Sequence, residues 1–127
     1  MGFQHNKHYS LEEATELLPQ VRIWLDRLAA LRKRARRYDK KLASMIEGGA
    51  DVGGETVNNW LRTLLEIKTV IREFQTHELQ LKDVDRGLVD FPSIREGREV
   101  FLCWEKTEAD IEHWHEMDEG YGGRRSI

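Results

Sequence analysis

Apolar residues recur in alternating steps of four and three along the N-terminal half of the chain. The series contains Leu17, Val21, Trp24, Leu28, Leu31, Ala35, Tyr38, Leu42 and Met45. Residues three and four positions apart lie on the same face of a helix, so this spacing produces one continuous apolar stripe. Charged side chains cover much of the other face. The pattern predicts a long amphipathic helix that packs against another helix.

A second apolar series begins after a glycine-rich interruption. Two Gly-Gly pairs bracket residues 48–54, which predicts a short loop. The residues beyond it are again spaced by three and four, and they predict another helix: Val57, Trp60, Leu64, Ile67, Ile71 and Phe74. A loop this short makes the two helices antiparallel neighbours.

Local signals mark the start of the first helix. Ser10 and Glu13 form a capping-box pattern, so the helix is predicted to begin at about residue 11. Pro19 removes one backbone donor and predicts a kink or a restart. Residues 1–9 carry no periodic pattern, and we expect a flexible arm.

The periodicity changes from that of a helix to that of a strand near residue 79. Residues 79–82 alternate in polarity and predict a strand, Asp85-Arg86-Gly87 supplies a turn, and residues 88–91 predict a second strand. Pro92 cannot donate a backbone hydrogen bond, so it should end the second strand or place it at an edge.

The remaining C-terminal residues predict one more strand and a short helix. Residues 93–98 are expected to form a loop, and Glu99–Trp104 forms the most apolar strand pattern in the chain. Glu108 to Met117 is compatible with a short helix, and the glycines that follow predict an irregular tail.

Together these elements predict a single α+β domain over residues 1–127, because a chain of 127 residues is too short for two comfortable domains. A long antiparallel helical hairpin occupies about residues 11–78. A small three-stranded antiparallel sheet and a short C-terminal helix occupy about residues 79–127.

Charge is distributed unevenly along the chain. Residues 32–41 hold seven Lys or Arg, whereas residues 83–119 hold twelve Asp or Glu against four Lys or Arg. The basic run would suit nucleic-acid phosphates. The net charge of −3 and the place of Tyr38 on the apolar stripe argue against that interpretation. A solvated helix face, paired with the acidic third of the same or a partner chain, fits better.

The single cysteine and the N-terminus bear on the compartment. Cys103 cannot form an internal disulfide and lies in an apolar strand, so we expect a buried, inert thiol in a reducing compartment. The N-terminus lacks the apolar core of a signal peptide, and no apolar run approaches the ~20 residues that span a membrane. The expectation is a cytoplasmic protein.

The most concentrated set of potential metal ligands lies near the C-terminus. His113 and His115 are followed by Glu116 and Asp118. Two histidines and a carboxylate can bind iron, manganese or zinc, and in an extended segment the two histidines share a face. In a helix His115 would instead neighbour Asp118. The alternative is that both histidines make only local hydrogen bonds.

Other polar and aromatic residues complete the candidate site. Asp90 lies within an apolar strand, so it would need a partner when buried, and Arg124 or His115 would serve. We expect His115 to be at least half buried and bonded to a carboxylate, with Asp90, Glu108 or Asp118 as the candidates. Trp104 and Trp114 are core residues, or walls of a cavity if one lies beside His115.

The chain resembles a bacterial and archaeal family known as domain of unknown function family 2203. The resemblance runs over nearly the whole length, and its specific part is C-terminal. The matching segments are Tyr9–Ala14, Leu17–Pro19, Val84–Pro92, Leu102–Trp104, Ile111, Trp114–Glu116, Asp118, Gly120–Tyr121 and Arg124.

That resemblance implies no established activity, but it shifts weight among the candidate residues. The family pattern has an aromatic or variable residue before Trp-His-Glu, so it does not support His113 as a site residue. The pattern also has Gly-Glu where this chain has Thr107-Glu108. The polar set that the resemblance favours is His115, Asp90, Glu108, Asp118 and Arg124.

Two functions fit these observations. The first is a homodimeric binding or protein-interaction module, because apolar residues outside the stripes, such as Leu25, Ile46, Leu61 and Leu65, would be covered in a four-helix bundle of two copies. The second is a metal- or small-ligand-binding, enzyme-like domain centred on His115. Residue spacing does not decide between a module and an enzyme, and it names no substrate.

Overall fold

Two long antiparallel helices form the first half of the fold. The computed structural model describes residues 2–49 and 54–127. Helix α1 spans Leu11–Glu47 and helix α2 spans Glu55–Thr76, which confirms the predicted helical hairpin. Residues 50–53 of the predicted interhelix loop lie outside these described ranges.

The capping box at the start of α1 is confirmed. The backbone N–H of Glu13 donates to Ser10 Oγ at 3.1 Å, and the N–H of Ser10 donates to Glu13 Oε1 at 3.0 Å. The helix then continues without a break through Pro19, so the restart predicted there does not occur. Leu18 and Val21 are buried on either side of the proline, and their packing offsets the lost backbone hydrogen bond.

Helix α1 buries a wider face than its predicted stripe. Trp24 lies on the stripe and packs against Phe74 of α2, with 5.3 Å between ring centroids. Leu25 lies outside the stripe, yet only 3% of it is exposed. Since α1 contacts both α2 and the sheet, two adjacent faces of the helix are covered, and Leu25 belongs to the second.

The predicted stripe of α2 is rotated relative to the face that the helix buries. Thr63, Val70 and Phe74 are buried, whereas Leu64 and Ile71 are exposed. A shift of one residue turns the buried face by about 100°. The sequence stripe predicted that Leu64 and Ile71 pack within the chain. That prediction was wrong, because these apolar side chains face outward.

A five-stranded antiparallel sheet forms the second half of the fold, with neighbouring strands in chain order. The strands are β1 Gln80–Asp83, β2 Leu88–Arg95, β3 Arg98–Glu105, β4 His113–Glu116 and β5 Arg125–Ser126. The α+β class is confirmed, but the sheet has two strands more than predicted.

The predicted short helix at Glu108–Met117 is wrong. Residues 113–116 form β4, and Tyr121–Gly123 forms a single 3-10 turn before β5. Without β4, the outer edge of β3 would present a row of unpaired backbone groups. Pairing with that edge outweighs the weak helical pattern of the segment, and only the assembled sheet supplies the edge.

The loop predicted for residues 93–98 is instead a tight hairpin. Arg95 pairs with Arg98 across it, and the two turn residues have positive φ, 52° at Glu96 and 78° at Gly97. Two successive residues of positive φ match the right-handed twist of the flanking strands. Strands β2 and β3 are therefore both eight residues long.

Pro92 does not end β2. It pairs with Phe101 of β3, and its carbonyl accepts a hydrogen bond from the N–H of Tyr9 at 2.7 Å. Strand β1 pairs with β2 only as far as Asp90. The missing N–H of Pro92 therefore lies on a side where no strand requires it.

The N-terminal arm is tied to the sheet rather than free. The backbone N–H groups of Gln4 and His5 donate to the Glu99 carboxylate at 2.8 and 3.0 Å, and His8 Nε2 lies 2.7 Å from it. Tyr9 is buried. The expectation of a flexible arm is wrong for these residues, because the Glu99 carboxylate, whose side chain is only 7% exposed, is hydrogen-bonded to three groups of the arm.

We predict that Glu99→Gln weakens the acid dependence of folding. Burial raises the pKa of Glu99, but hydrogen bonds from His8 and the two backbone amides outweigh it and leave the pKa below its ordinary value. The charged carboxylate therefore stabilises the fold above about pH 4.5, and this contribution is lost as the pH falls through the lowered pKa.

Thermal denaturation across the acidic range measures this effect. At neutral pH the variant should lose roughly 1–2 kcal/mol of unfolding free energy. Glu96→Gln, in the exposed turn of the same hairpin, is the matched control and should behave as the wild type does. An unchanged acid profile for Glu99→Gln would contradict the prediction.

Both helices, α1 and α2, lie within the described parts of the chain. Neither α1 nor α2 contains a stretch that is long and apolar enough to cross a bilayer.

Candidate functional site

The two faces of the sheet have different partners. Successive residues of a strand point to opposite faces. One face packs against the helices and contributes Val89, Phe91, Val100, Leu102, Trp104 and Trp114 to the core. The opposite face carries Asp90 from β2, Cys103 from β3 and His115 from β4.

Strand register brings these three polar residues together. Asp90 is directly opposite Cys103, whereas His115 is opposite Phe101, two residues before Cys103 on β3. The imidazole spans this offset, and its Nε2 lies 3.0 Å from Asp90 Oδ2. One donor atom from each of Asp90, Cys103 and His115 lies within 4.8 Å of the other two. We call these residues the Asp-Cys-His cluster.

The Asp-Cys-His cluster is excluded from solvent, although the helices lie on the other face of the sheet. Relative exposure is 2% for Asp90 and 1% for both Cys103 and His115. The N-terminal arm reaches this face, where His5 packs on Phe101 with 5.6 Å between ring centroids. The C-terminal tail also reaches it, and Arg124 Nη2 donates to the carbonyl of Cys103 at 3.2 Å.

The protonation of His115 follows from its two neighbours. The carbonyl of Glu116 lies 2.8 Å from Nδ1 and accepts its hydrogen, so Nε2 is the nitrogen that faces Asp90. Burial by itself lowers the pKa of His115, but the hydrogen bonds to Asp90 and to the Glu116 carbonyl, together with the nearby negative charges, outweigh it, and the pKa lies above its ordinary value. The expectation of a buried His115 bonded to a carboxylate is confirmed, and the carboxylate is Asp90.

Cys103 is not poised as a nucleophile. Burial raises the pKa of its thiol to about 12, and the negative charge of Asp90 adds to the effect. A nucleophilic cysteine requires an environment that favours the thiolate. Among the described residues, no nitrogen or oxygen donor reaches Asp90 Oδ1, so beyond its bond to His115 the buried carboxylate has only the weak donor of the Cys103 thiol.

Glu108 and Arg124 form a separate cluster that fixes the C-terminal tail. Arg124 Nη2 lies 2.6 and 2.8 Å from the two carboxylate oxygens of Glu108, and the same carboxylate accepts the N–H of Glu105 at 2.9 Å. Burial raises the pKa of Glu108, but the hydrogen bonds from Arg124 and the Glu105 amide, together with the charge of Arg124, outweigh it, and the pKa is lowered. His113 Nδ1 lies 3.3 Å from Glu108.

The metal group expected from the sequence is not assembled. Asp118 is exposed beyond the end of β4, and the carboxylate of Glu116 pairs with Arg98 at 2.6 Å. His113 shares the face of His115 but approaches Glu108 instead. Strand alternation separates Glu116 from His115, so only His115 of this group lies in the Asp-Cys-His cluster.

The two candidate tryptophans do not line a cavity beside His115. Trp104 is fully buried on the helix side, where its Nε1 donates to the carbonyl of Glu108 at 2.9 Å. Trp114 lies on the same side, and the guanidinium groups of Arg95 and Arg125 are 4.6 and 5.0 Å from the centroid of its ring. Both residues belong to the core.

Cys103 is the member of the cluster that the sequence did not reveal. Its surroundings, Phe-Leu-Cys-Trp, are apolar and predict an inert thiol. A hairpin centred on Glu96-Gly97 would have paired residue 90 with residue 103. The expected loop over residues 93–98 concealed that register.

These features define a class of protein: an α+β domain in which a helical hairpin covers one face of a five-stranded meander, with a buried acid–thiol–imidazole cluster on the other face. Residues 7–127 match the family described as "Uncharacterized conserved protein (DUF2203)", and the chain belongs to that family. No curated protein and no solved structure matches the chain.

We predict that His115→Ala destabilises the fold in the presence of a chelator. The substitution leaves Asp90 buried without its hydrogen-bond partner, which should cost roughly 1–3 kcal/mol of unfolding free energy and lower the melting temperature by several degrees. Denaturant titration with a circular-dichroism readout measures the loss. His113→Ala, on the same strand and face but partly exposed, should cost clearly less, and equal losses would contradict this role for His115.

Proposed function

We propose that the chain is a homodimeric protein-interaction module that associates through its helical hairpin, along the exposed side of α2. The single observation behind this proposal is the inverted polarity of α2. Thr63 is 2% exposed, while its neighbours Leu64 and Leu65 are 38% and 63% exposed. A helix that faces only its own chain would be expected to bury the leucines.

Exposed apolar residues of α2 form a stripe along the helix. Leu61, Leu64 and Ile71, with the partly exposed Val57 before them, follow steps of four, three and seven, the spacing of a helix–helix contact. Leu61 and Ile71 are 46% and 36% exposed. Lys68 lies on the same stripe, and its apolar stem can cover a partner's surface while the ammonium reaches solvent.

The helical hairpin extends well beyond the sheet. Helix α1 has 37 residues and is about 55 Å long, whereas a strand of eight residues spans about 26 Å. The buried residues of α1 end at Ala35, and those of α2 begin at Thr63. Among the described residues, the far end of the hairpin therefore has no buried side chains of its own.

A second copy of the chain is the partner that best fits this surface. An apolar groove lies between the helices beside the stripe, with Ala35, Ile67 and Ile71 in its lining and Arg32 and Arg36 at its margin. Stripes from two copies can pair about a twofold axis as a four-helix bundle.

Charge is compatible with the same arrangement. Arg32 pairs with Asp85 of its own chain at 2.9 Å and Arg34 lies 3.7 Å from Glu66, and other basic residues of the run 32–41 would complement acidic residues of a second copy. Because ion pairs of this kind would occupy the basic run, the proposal does not require a nucleic-acid partner. The one thiol, buried Cys103, fits a reducing compartment, and we place the module in the cytoplasm.

The predicted assembly is tested by light scattering at tens of micromolar. The wild type should show twice the chain mass of 15.0 kDa. Leu64→Glu combined with Ile71→Glu should give the monomer mass with unchanged helical content, because two charges would be buried in the contact.

Ile23→Glu is the matched control, since this isoleucine is 59% exposed on the outer side of α1, and it should remain dimeric. A monomeric wild type would refute the proposal. A dimer that persists in the Leu64→Glu and Ile71→Glu double variant would refute this interface.

A further inference from the structure

The Asp-Cys-His cluster contains three kinds of metal donor on three adjacent strands. A carboxylate, a thiol and an imidazole meet at Asp90, Cys103 and His115, with one donor atom from each within 4.8 Å of the others. These residue types are the usual protein ligands of zinc. Their convergence depends on strand register, because they come from β2, β3 and β4 and not from one local motif.

The orientation of His115 is that of a supported metal ligand. Its Nδ1 hydrogen is engaged by the carbonyl of Glu116 at 2.8 Å, which directs Nε2 toward Asp90 and Cys103. Metal-binding histidines commonly donate their second ring hydrogen to a backbone carbonyl in this way, and the bond fixes the ring orientation.

Asp90 supplies a second, independent observation. Its side chain is 3% exposed, and Oδ1 has no hydrogen-bond partner among the described residues. If Asp90 served only to hold His115 in place, leaving its Oδ1 buried and unsatisfied would cost folding free energy. A cation beside this oxygen would remove that cost.

We propose that Asp90, Cys103 and His115 bind one zinc-type divalent cation. The combination of thiolate and imidazole favours zinc over the harder manganese. Three protein ligands leave one position of a tetrahedral ion for water. This site differs from the group of His113, Glu116 and Asp118 suggested by the sequence, and it shares only His115 with it.

Proton and charge balance are compatible with the exchange. Without metal, the cluster holds a thiol and an Asp90–His115 pair whose charges cancel. On binding, the Cys103 thiol proton and the proton between Asp90 and His115 pass to solvent. The thiolate and carboxylate then balance the two positive charges of the ion, so the buried cluster is neutral in both states.

Cobalt(II) is the probe that separates this site from adventitious binding. Untagged full-length protein, stripped with a chelator, is titrated with cobalt and followed by absorption. We expect one cobalt per chain, a near-ultraviolet charge-transfer band from thiolate to metal, and visible bands typical of tetrahedral coordination. Zinc should displace cobalt and abolish them. Because Cys103 is the only cysteine, the charge-transfer band reports on this residue alone.

Substitutions then test each ligand. Cys103→Ser should lose the charge-transfer band, and Asp90→Asn and His115→Gln should each bind cobalt roughly tenfold more weakly or worse. His113→Gln and Asp118→Asn are the matched controls, since both residues are close in sequence to His115 but lie outside the cluster. Both controls should bind as the wild type does.

The possible outcomes are distinct. Absence of the band in folded wild-type protein at saturating cobalt would overturn the proposal. A band of unchanged affinity in folded Asp90→Asn and His115→Gln would also overturn it, because the cysteine alone would then account for binding.

If Cys103→Ser fails to fold, the decision rests on the wild type and on Asp90→Asn, which preserves side-chain shape. Zinc should raise the melting temperature of the wild type and leave that of Asp90→Asn nearly unchanged. An equal rise in both proteins would count against the site.

Discussion

A five-stranded sheet has two faces, and the two helices of this chain can cover only one of them. The helices pack on the face that carries Phe91, Leu102 and Trp104. The other face is nevertheless buried, and the terminal segments reach it: the arm through Glu99, and the tail through Arg124. Because each segment is held by a partly buried carboxylate or guanidinium, ionic hydrogen bonds at the two termini support the second side of the sheet.

Covering that second face places ionisable groups in the interior. Asp90 and His115 form a buried pair. Removing one partner of such a pair lowers the unfolding free energy by more than the intact pair contributes relative to apolar residues. The pair is therefore weak support for stability by itself. The pair lies beside Cys103, and one oxygen of Asp90 is unsatisfied, so it presents the donor atoms on which the proposed metal site rests. The polar residues of the tail do not present this combination. Glu108, by contrast, accepts hydrogen bonds from Arg124 and from the N–H of Glu105, and these bonds fix the tail.

The mismatch between helix length and sheet size governs the outer surface. A sheet with strands of eight residues cannot cover a helix of 37 residues, so the far part of the hairpin depends on contacts between α1 and α2 alone. In α2 the polar Thr63 is buried while Leu64 and Ile71 are exposed. The fold tolerates that inversion because Thr63 Oγ1 donates to the carbonyl of Asn59 at 2.9 Å. The buried hydroxyl is thereby satisfied.

The sequence by itself determined the elements whose signals are local: the capping box at Ser10, the heptad spacing of α1, the glycine break between the helices, and the apolar strand pattern of Glu99–Trp104. It also identified Asp90 and His115, because an acid in an apolar strand and a histidine beside tryptophan each require a partner. Only the tertiary structure decided that residues 113–116 form a strand, since a free β3 edge is needed to pair with them. It likewise brought Cys103 into the cluster, because strand register joins residues that are far apart in the chain, and one residue of register moves a side chain to the other face.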